Sequence, residues 1–287
     1  MKLLVFGKTG QVAQALQRQA GPDLTIVTLG RDEADLSQSA VCAAHILNTD
    51  ADAVINAAAY TAVDRAEAEE DLATQINGVA PGVMAKAAAA RALPFLHIST
   101  DYVFDGTGHA PRKPDAACAP LNTYGRSKLA GERAVRASGA QHVILRTSWV
   151  FSADGANFVK TMLRLSETRD ALTVVEDQIG GPTPAEDIAA TLVTMARAMI
   201  AGHAGGTYHY AGAPVTNWAG FARETFARSK RDVTVTGIPT SAYPTPAPRP
   251  LNSRLDCTTT ETDFGISIPD WRAGLATVIT QLKQSIL

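Results

Sequence analysis

In residues 2–13 the chain reads Lys2-Leu3-Leu4-Val5-Phe6-Gly7-Lys8-Thr9-Gly10-Gln11-Val12-Ala13. The apolar run predicts a strand that is buried on both faces, and a helical pattern begins directly after the turn. The turn has the form Gly-x-x-Gly-x-x-Ala, whose small residues let the backbone bend sharply and approach a pyrophosphate. The N-terminus of the following helix directs free amide groups and a positive dipole at the same place. This segment therefore predicts a nucleotide-binding turn, and it is not a Walker A loop because no Gly-Lys-Ser/Thr closes it.

The same alternation of strand and helix continues through the first half of the chain. Strands are predicted over 2–6, 24–29, 53–56, 95–98 and 143–147, and helices over 10–20, 39–47, 72–91 and 122–137. Strands separated by helical crossovers imply a parallel sheet with helices on both faces. We therefore expect an α/β fold with a doubly wound parallel-sheet (Rossmann) domain over residues 1–150. Residues 151–287 are expected to form mainly a smaller α/β C-terminal substrate lobe, with some segments, about 172–200, returning to the first domain.

Composition and charge limit the classes of function. The chain has 287 residues, of which 46% are hydrophobic and 19% charged, so a sizeable folded core is expected. Lys and Arg number 26 against 28 Asp and Glu, a balance that disfavours a protein built to neutralise nucleic-acid phosphates. No apolar run reaches the roughly 18 residues of a membrane span, and no signal peptide is recognisable. Three widely spaced Cys predict free thiols, and together these features predict a cytoplasmic protein.

The end of the second predicted strand bears on the choice of nicotinamide cofactor. Gly30-Arg31-Asp32 stands about 20 residues after the glycine turn, where an acidic residue binds the ribose of NAD and an arginine accommodates the extra phosphate of NADP. Arg31 comes first, and its planar guanidinium fits a phosphate. We therefore predict NADPH. Asp32 leaves NADH possible, and a merely solvated loop charge is the alternative interpretation of Arg31.

A strand end rich in hydroxyl groups and a Tyr/Lys pair predict the reactive centre. The strand over 95–98 runs into Ser99-Thr100-Asp101, and Tyr124 and Lys128 follow at the start of a helix. A spacing of four places the phenol and the ammonium on one helical face. A nearby cation lowers the pKa of a phenol, so Tyr124 can exchange a proton with a carbonyl or alcohol oxygen. Such a pair also occurs on ordinary helix surfaces, but the upstream nucleotide turn and Thr100 make chance a poor explanation.

With these motifs together, the chain resembles the extended branch of the short-chain dehydrogenase/reductase superfamily, and within it the dTDP-4-dehydrorhamnose reductases. The glycine turn and the Tyr124/Lys128 pair are shared widely in the superfamily. Narrower signals lie almost from end to end, in Asn56-Ala57-Ala58-Ala59-Tyr60-Thr61-Ala62-Val63-Asp64, Ser99-Thr100-Asp101-Tyr102-Val103-Phe104, Arg146-Thr147-Ser148-Trp149-Val150, Asp177-Gln178 with Pro182-Thr183, and Arg249-Pro250-Leu251-Asn252-Ser253. The resemblance implies NADPH-dependent reduction of the 4-keto group of dTDP-4-dehydro-β-L-rhamnose to dTDP-L-rhamnose, a precursor of cell-surface polysaccharide.

The resemblance also implies roles for individual residues. Tyr124 matches the proton donor, Thr100 the hydroxyl that bonds the reacting oxygen, and Lys128 the group that binds the cofactor ribose and tunes Tyr124. Residues implied to bind the cofactor are Gly7, Thr9, Gly10, Gln11, Val12, Arg31, Asp35, Leu36, Ala57, Ala58, Ala59, Tyr60, Tyr124 and Lys128. Residues implied to bind the dTDP-sugar are Thr61, Val63, Asn77, Thr100, Asp101, Tyr124, Trp149, Asn157 and Arg249. For Trp149 the alternative interpretation is a core aromatic residue that follows a buried strand.

One position departs from the family pattern. Members that use a magnesium-bridged dimer carry a Glu two residues after the third small residue of the glycine turn, and this chain has Ala15 there. Glu186 still matches another acidic position of the pattern. The six histidines show no close ligand spacing. We therefore predict no metal and regard a homodimer as possible.

Two other functions stay open from the sequence. The same fold resembles the cofactor-binding regulatory partner of methionine adenosyltransferase, which acts through protein contact, although the intact Thr100, Tyr124 and Lys128 favour an enzyme. The second is a sister enzyme on another nucleotide sugar, including a reductase of a different dTDP-4-keto-6-deoxy sugar. Epimerases and dehydratases usually carry a different acid/base set beside the tyrosine. The residues after Thr100 do not supply such a set.

Overall fold

The computed structural model describes residues 1–284. In this range the strands are β1 (Lys2–Phe6), β2 (Thr25–Leu29), β3 (Ala53–Asn56), β4 (Phe95–Thr100), β5 (His142–Thr147), β6 (Val150–Phe151), β7 (Ala171–Val175), β8 (Ile179–Gly180), β9 (Thr183–Pro184), β10 (Gly205–His209), β11 (Thr216–Asn217), β12 (Thr234–Ile238) and β13 (Asn252–Ser253). The helices are α1 (Gln11–Arg18), α2 (Ser39–Leu47), α3 (Val63–Ala66), α4 (Glu70–Thr74), α5 (Ala80–Ala90), α6 (Thr123–Arg136), α7 (Phe158–Leu165), α8 (Ala185–Ile200), α9 (Trp218–Ser229), α10 (Thr258–Phe264) and α11 (Trp271–Gln284). A π-helical segment, Gln75–Val79, joins α4 to α5, and 3₁₀ turns lie at Leu36–Gln38, Asp101–Val103 and Thr240–Ala242.

Six strands form one sheet in the order β10-β5-β4-β3-β1-β2, and every neighbouring pair in it is parallel. The strand order reverses between β1 and β3, because β2 extends the sheet on one side of β1 and β3 to β5 extend it on the other. Ligands of open α/β sheets bind outside the carboxyl ends of the strands at such a switch point. The predicted doubly wound parallel-sheet (Rossmann) architecture is confirmed.

Two helical layers cover the large sheet. Leu3, Leu4, Val5 and Phe6 of β1 are all buried, which requires cover on both faces of the strand. Helices α1 and α8 pack on one face, and α2, α5 and α6 form the other layer. The hydrophobic core therefore lies on both sides of the sheet, and the polar residues that follow the strands gather at its carboxyl edge.

A smaller lobe is built around α7, α9 and α11. In this lobe β7 pairs with β12, β8 pairs with β11 and β13, and β6 pairs with β9. Exposed and buried residues alternate along β7, as expected for a strand covered on one face. The core of the lobe is aromatic, with Phe151, Phe221 and Trp271 buried together.

The segment that returns to the large domain differs from the predicted one. Strand β7, which begins at the start of the predicted 172–200 segment, pairs with β12 in the smaller lobe. Helix α8 instead packs on α1, and β10 joins the large sheet beside β5. The returning segment is therefore 185–209 rather than about 172–200. The sequence of β10 contains two glycines and gives little strand signal, so this sixth strand was not predicted.

The helix predicted over 72–91 begins earlier, at Glu70, and is not a continuous α-helix. The π-helical segment Gln75–Val79 interrupts it and accommodates one extra residue per turn. The sequence pattern predicted one regular helix and did not distinguish the two forms. The segment places Asn77 in the interior, where it contributes to the site described below.

The three cysteines, Cys42, Cys118 and Cys257, are free thiols, as predicted. Across the described residues, the helices are too short or too polar for any of them to span a bilayer.

Candidate active site

The glycine turn closes against the loop that follows β3. Gly7 has a φ of +109°, a conformation that side chains rarely adopt, and its amide donates to the carbonyl of Leu29 at 2.9 Å. A Cβ on Gly7 would lie 3.4 Å from the backbone of both Ala57 and Ala58. Gly10 precedes α1 without a side-chain cap, so no cap competes for the amide groups at the start of that helix. Together with Thr9, Gln11 and Val12, this turn forms a backbone cradle at the switch point, where a pyrophosphate fits.

The far end of the cradle carries two cations. Arg31 is exposed and has no ion-pair partner within residues 1–284, whereas Lys8 pairs with Glu33 at 3.3 Å. Glu33 also accepts from the amide of Gly30 at 3.0 Å, and these contacts lower its pKa. Asp35 accepts from the amide of Ser37 at 2.8 Å, so its carboxylate holds the 3₁₀ turn that buries Leu36. Arg31 is therefore the unpaired cation at the end of β2.

Asn77 ties the loop after β3 to helix α6. Its Oδ1 accepts from the amide of Tyr60 at 2.8 Å, and its Nδ2 donates to the carbonyl of Tyr60 at 2.9 Å and to Ser127 Oγ at 3.0 Å. Only 1% of Asn77 is exposed. The Asn77 amide is thus engaged inside the protein, and its contact with the sugar stays a prediction. Its structural effect is to hold residues 57–60 beside α6.

The start of α6 is fixed by two acceptors. Asn122 precedes the helix and accepts from the amide of Gly125 at 2.8 Å, while Glu67 accepts from the amide of Thr123 at 2.8 Å. Further along, Gly131 lets the helix approach the π-helical segment so closely that a Cβ there would collide with the carbonyl oxygen of Asn77. These contacts hold the Tyr124 and Lys128 backbone rigidly against the rest of the domain.

Thr100, Asp101 and Tyr124 meet at the carboxyl end of β4. Thr100 Oγ1 donates to Asp101 Oδ1 at 3.1 Å and accepts from the amide of Tyr102 at 3.2 Å. Burial raises the pKa of Tyr124 to about 12, although a hydrogen bond with Thr100 opposes the rise. Tyr124 is therefore a neutral phenol at neutral pH, able to donate a proton rather than accept one.

Asp101 is an unusual group for an interior. It is 3% exposed, and its Oδ2 has no hydrogen-bond partner in the described structure. Burial raises the pKa of Asp101 to about 6, against smaller opposite effects of the Ser253 and Thr100 hydroxyls. A buried carboxylate oxygen without a hydrogen-bond partner is uncommon in protein interiors, which singles out Asp101 as a candidate functional group.

Lys128 lies below Tyr124 on the same face of α6. It is 2% exposed, and its Nζ donates to the carbonyl of Ile98 at 2.7 Å and lies 3.3 Å from Nε2 of His97. Burial lowers the pKa of Lys128 to about 8, although the nearby Glu132 carboxylate acts in the opposite direction. The predicted spacing of Tyr124 and Lys128 on one face is borne out by the geometry of α6.

The smaller lobe supplies a wall beside these groups. Thr147 lies opposite Thr100 in the β4–β5 register, and Trp149 follows it with a φ of +49°. The Trp149 ring stacks on the Trp218 ring, with centroids 3.7 Å apart and planes 13° apart. A Cβ on Gly180 would lie 2.8 Å from Trp149, and Gly180 pairs with Ser253 across β8 and β13. Trp149 is half-buried and not a fully covered core residue.

Asn157 and Gln11 contact each other instead of pointing freely into a pocket. Gln11 Oε1 accepts from Asn157 Nδ2 at 3.0 Å and from Ser152 Oγ at 2.9 Å. Asn157 also caps α7 by accepting from the amide of Lys160 at 3.2 Å. The Asn157 side chain thus anchors the loop of the smaller lobe to α1, and its contact with the sugar stays a prediction. The Gln11 side chain shares this role, which leaves its backbone amide for the cradle.

Arg249 is held by an acidic partner. Its Nη2 lies 2.8 Å from Asp64 Oδ2, and Asp64 Oδ1 accepts from the amide of Ala247 at 3.1 Å. The carbonyl of Pro248 accepts from Asn122 Nδ2 at 2.8 Å. The proline-rich segment is thus an ordered loop that connects the smaller lobe to α3 and to the start of α6. Thr61 is exposed and Val63 half-buried beside it, at the start of α3.

The acidic position that matches the family pattern is occupied by an ion pair. Arg18 Nε donates to Glu186 Oε1 at 2.7 Å, and Arg18 Nη2 donates to Asp154 Oδ2 at 2.7 Å. Ala15, one turn earlier on α1, is fully buried. In the described part of the chain no group of three or more His, Cys, Asp or Glu side chains could hold a metal ion.

Comparison with known proteins identifies the family. The family described as RmlD substrate binding domain matches residues 1–284. The chain belongs to this family. A dTDP-4-dehydrorhamnose reductase from Sinorhizobium fredii is 45% identical over 278 residues, covering 94% of both chains.

Solved structures of the family agree with this assignment. A dTDP-4-dehydrorhamnose reductase from Clostridium acetobutylicum superposes with a TM-score of 0.93 at 35% identity, covering 99% of this chain and 100% of that one. The Bacillus anthracis reductase in complex with NADP superposes with a TM-score of 0.91 at 32% identity, covering 98% and 99%. The resemblance inferred from the sequence motifs is confirmed.

The sequence did not reveal several residues that shape the site. His97 and Asn56 lie behind Lys128, Trp218 backs Trp149, and Glu67 caps α6. The available signal for His97 and Asn56 was a polar residue within a buried, apolar strand, where unpaired polar groups are rare. Trp218 carried no comparable signal, because its contact with Trp149 spans two distant segments of the smaller lobe.

Proposed function

We propose that this protein reduces the 4-keto group of dTDP-4-dehydro-β-L-rhamnose with NADPH and releases dTDP-L-rhamnose. The observation that carries the proposal is the contact of Thr100 with Tyr124 at the carboxyl end of β4, with Lys128 one turn along α6 and linked through His97 and Asn56 to the loop that packs on Gly7. Membership of the RmlD family supports the same reaction.

The proton chemistry suits reduction. NADPH supplies a hydride to the carbonyl carbon when it is bound. Tyr124, whose pKa burial raises, then donates its phenol proton to the oxygen that gains negative charge. The Thr100 hydroxyl stabilises that oxygen, and Lys128 offers N–H groups to the cofactor ribose and a cation to the resulting phenolate.

The cofactor residues are proposed from the shape of the cradle. The uncapped start of α1 and the backbone of Gly7, Thr9, Gly10, Gln11 and Val12 fit a pyrophosphate. Arg31 would bind the additional phosphate of NADPH, since it is exposed and unpaired within the described chain. The remaining proposed contacts are Asp35 and Leu36 near adenine, and Ala57, Ala58, Ala59 and Tyr60 along the loop after β3.

For the dTDP-sugar, the proposed contacts are Asp101, Trp149, Thr61 and Val63, with Thr100 and Tyr124 at the carbonyl. The unpartnered Oδ2 of Asp101 is suited to accept from a sugar hydroxyl. Trp149 presents a half-buried aromatic face that can cover a sugar ring. Arg249 is proposed to contact the diphosphate of the substrate. To do so, the diphosphate must compete with Asp64, which already forms an ion pair with Arg249.

The direct test is the Tyr124→Phe variant. We expect turnover, followed as NADPH oxidation, to fall by about a hundred- to ten-thousand-fold, because the general acid is lost. Binding of NADPH, followed by fluorescence titration, should be retained. The control is Tyr208→Phe, which removes a phenol hydroxyl bonded to Asp263 in another part of the domain. Retained turnover in Tyr124→Phe would contradict the proposed proton donor.

The same assay separates the other candidate functions. Oxidation of NADPH that depends on dTDP-4-dehydro-β-L-rhamnose is expected to be faster than with other dTDP-4-keto-6-deoxy sugars. Higher kcat/KM on another sugar of the panel would identify a sister reductase. Cofactor binding without turnover on any of them would favour a regulatory subunit.

We further propose that the protein acts in the cytoplasm, where the free thiols of Cys42, Cys118 and Cys257 suit a reducing environment. The balanced charge supports small nucleotide ligands rather than nucleic acid. We propose that a homodimer of this protein has no bridging metal, because Glu186 is already paired with Arg18.

A further inference from the structure

A buried histidine lies directly behind the proposed reactive lysine. His97 is fully buried in β4, with Nδ1 3.2 Å from Asn56 Nδ2 and Nε2 3.3 Å from Lys128 Nζ. Asn56 is 1% exposed in the neighbouring strand β3. Asn56, His97 and Lys128, on two strands and one helix, thus form a continuous row of polar contacts in the interior.

The orientation of Asn56 fixes where the imidazole proton must be. Asn56 Oδ1 accepts from the amide of Ala58 at 3.2 Å, so the Nδ2 amino group faces His97. An amino group only donates, so Nδ1 of His97 must accept. A neutral imidazole then carries its proton on Nε2, which faces Lys128.

Two donors cannot share that contact. An ammonium group is donor-only, so the Nε2–H of His97 bonds Lys128 only when the lysine is a neutral amine with a free lone pair. A protonated Lys128 keeps a hydrogen bond with His97 only when Nε2 accepts, which places the imidazole proton on Nδ1. Asn56 must then turn its Oδ1 toward Nδ1–H, which removes the partner of the Ala58 amide.

We propose that His97 and Asn56 are positioning residues. They couple the protonation of Lys128 to the hydrogen bonding of the Ala58 amide, in the loop after β3 that is proposed to contact the cofactor. With Lys128 neutral, His97 is the Nε2–H tautomer and Asn56 holds the Ala58 amide. With Lys128 protonated, His97 is the Nδ1–H tautomer, Asn56 is turned, and the Ala58 amide is free for a bound cofactor. His97 stays neutral in both states.

The charges around the triad allow such a change. Glu132 on α6 is the charged group that raises the pKa of Lys128, and it is shared with Arg146 of β5. Burial lowers the pKa of His97 well below its usual range, and Lys128 adds to this effect, so the imidazole does not become a cation. Other charged or titratable groups facing α6 from neighbouring elements are Asp101, Glu67 and Glu70, with Tyr124, Arg126 and Arg136 on α6 itself.

This coupling deepens the proposed function. The coupling among Lys128, His97 and Asn56 does not itself depend on that function, but its use in cofactor binding does. A protonated Lys128 suits ribose binding and stabilisation of the Tyr124 phenolate, and the same state frees an amide beside the cradle. Burial brings the pKa of Lys128 to about 8, which places the change near physiological pH.

The test is the tautomer of His97, read by NMR of the full chain with isotope-labelled histidine nitrogens. The resonance is assigned by its loss in His97→Gln. We expect the Nδ1–H tautomer below the Lys128 pKa and the Nε2–H tautomer above it, with a midpoint near pH 8 and no imidazolium form. One tautomer across the whole range, or an imidazolium, would overturn the proposal, and neither result depends on turnover.

Asn56→Asp supplies the matched perturbation. A carboxylate at this position only accepts, so it should hold His97 as the Nδ1–H tautomer at every pH and raise the pKa of Lys128 by about one unit. The Lys128 midpoint in the pH profile of NADPH oxidation should move upward by the same amount. In His97→Gln, whose amide can either donate or accept, the midpoint should stay near the original pH. A His97 tautomer change that persists in Asn56→Asp would contradict the coupling, whereas failure of turnover alone would concern only the proposed function.

Discussion

Two groups of buried charges lie one turn apart along α6, and they differ in how completely they are paired. In the first, Glu132 is fully buried and accepts from Arg146 Nε at 2.8 Å and Nη2 at 2.7 Å, from Arg136 at 2.8 Å and from Ser99 at 2.6 Å. In the second, at the start of α6, Lys128 contacts a carbonyl and an imidazole, and one oxygen of Asp101, which interacts with Tyr124, has no partner in the described residues.

The pKa shifts favour the charged forms in the first group and the neutral forms in the second. In the paired group, hydrogen bonds and charge outweigh burial, so the pKa of Glu132 is lowered and that of Arg146 is raised, and both stay charged. In the other group, burial dominates, so the pKa of Lys128 falls to about 8 and that of Asp101 rises to about 6. Complete pairing gives a structural ion pair, whereas incomplete pairing leaves groups that can gain or lose protons near neutral pH.

Removing one partner of the paired group should produce the largest loss of stability. Arg146→Met leaves Glu132 buried with only a half-exposed arginine and a hydroxyl, and we expect a loss of about 3–5 kcal/mol in the free energy of unfolding. Urea titration measures this value. The control Arg136→Met removes the half-exposed partner of the same carboxylate and should lose at most about 1 kcal/mol. Equal losses in the two variants would contradict the difference in pairing.

Neutralising the unpaired acid should have the opposite effect on stability. The folded-state pKa of Asp101 is raised from 3.8 to about 6, so its charge opposes folding above that pH. Asp101→Asn should therefore stabilise the fold by roughly 2–3 kcal/mol at pH 7.5 and also lower turnover.

The control for Asp101→Asn is the pH dependence of the difference in unfolding free energy between the variant and the parent protein. As the pH falls through 6, native Asp101 takes up its proton before the unfolded chain does, so the parent protein gains stability relative to the variant. The difference in unfolding free energy should thus shrink toward zero below about pH 4. A difference that is independent of pH would show that the gain comes from packing and not from the charge.

The smallest expected effect concerns the exposed end of the cradle. Arg31→Ala should lower the ratio of kcat/KM for NADPH to that for NADH by about tenfold, because one charge-assisted contact with phosphate is lost. Lys8→Ala is the matched control, since Lys8 is already paired with Glu33 and should change the ratio less. An unchanged ratio in Arg31→Ala would contradict the proposal that Arg31 binds the additional phosphate of NADPH.

The large domain could be predicted from sequence because its signals are local. Apolar runs such as Leu3-Leu4-Val5-Phe6, the glycine turn and the spacing of Tyr124 and Lys128 each lie within a few residues. Strand β10 could not be predicted, because Gly205 and Gly206 have low strand propensity and the strand forms by pairing with β5. The extent of the returning segment, 185–209, depends on the same long-range contact.

In the site, residue type indicates which side chains carry reactive groups, but the hydrogen-bond partners of those side chains depend on distant neighbours. Asn77 and Asn157 are predicted to contact the sugar, and the sequence did not show that their amides also bind Tyr60, Ser127 and Gln11. The link from Asn56 through His97 to Lys128 joins residues up to 72 positions apart, and no local pattern indicates it.

The central claim is reduction of a sugar ketone by NADPH with Tyr124 as the proton donor. The most direct measurement is turnover of dTDP-4-dehydro-β-L-rhamnose with NADPH that carries deuterium at the transferable position, followed by NMR of the product. We predict deuterium at carbon 4 of the rhamnose ring, formed by the parent protein and nearly absent with Tyr124→Phe. Deuterium at another carbon, unlabelled product, or equal labelling with Tyr124→Phe would contradict this account.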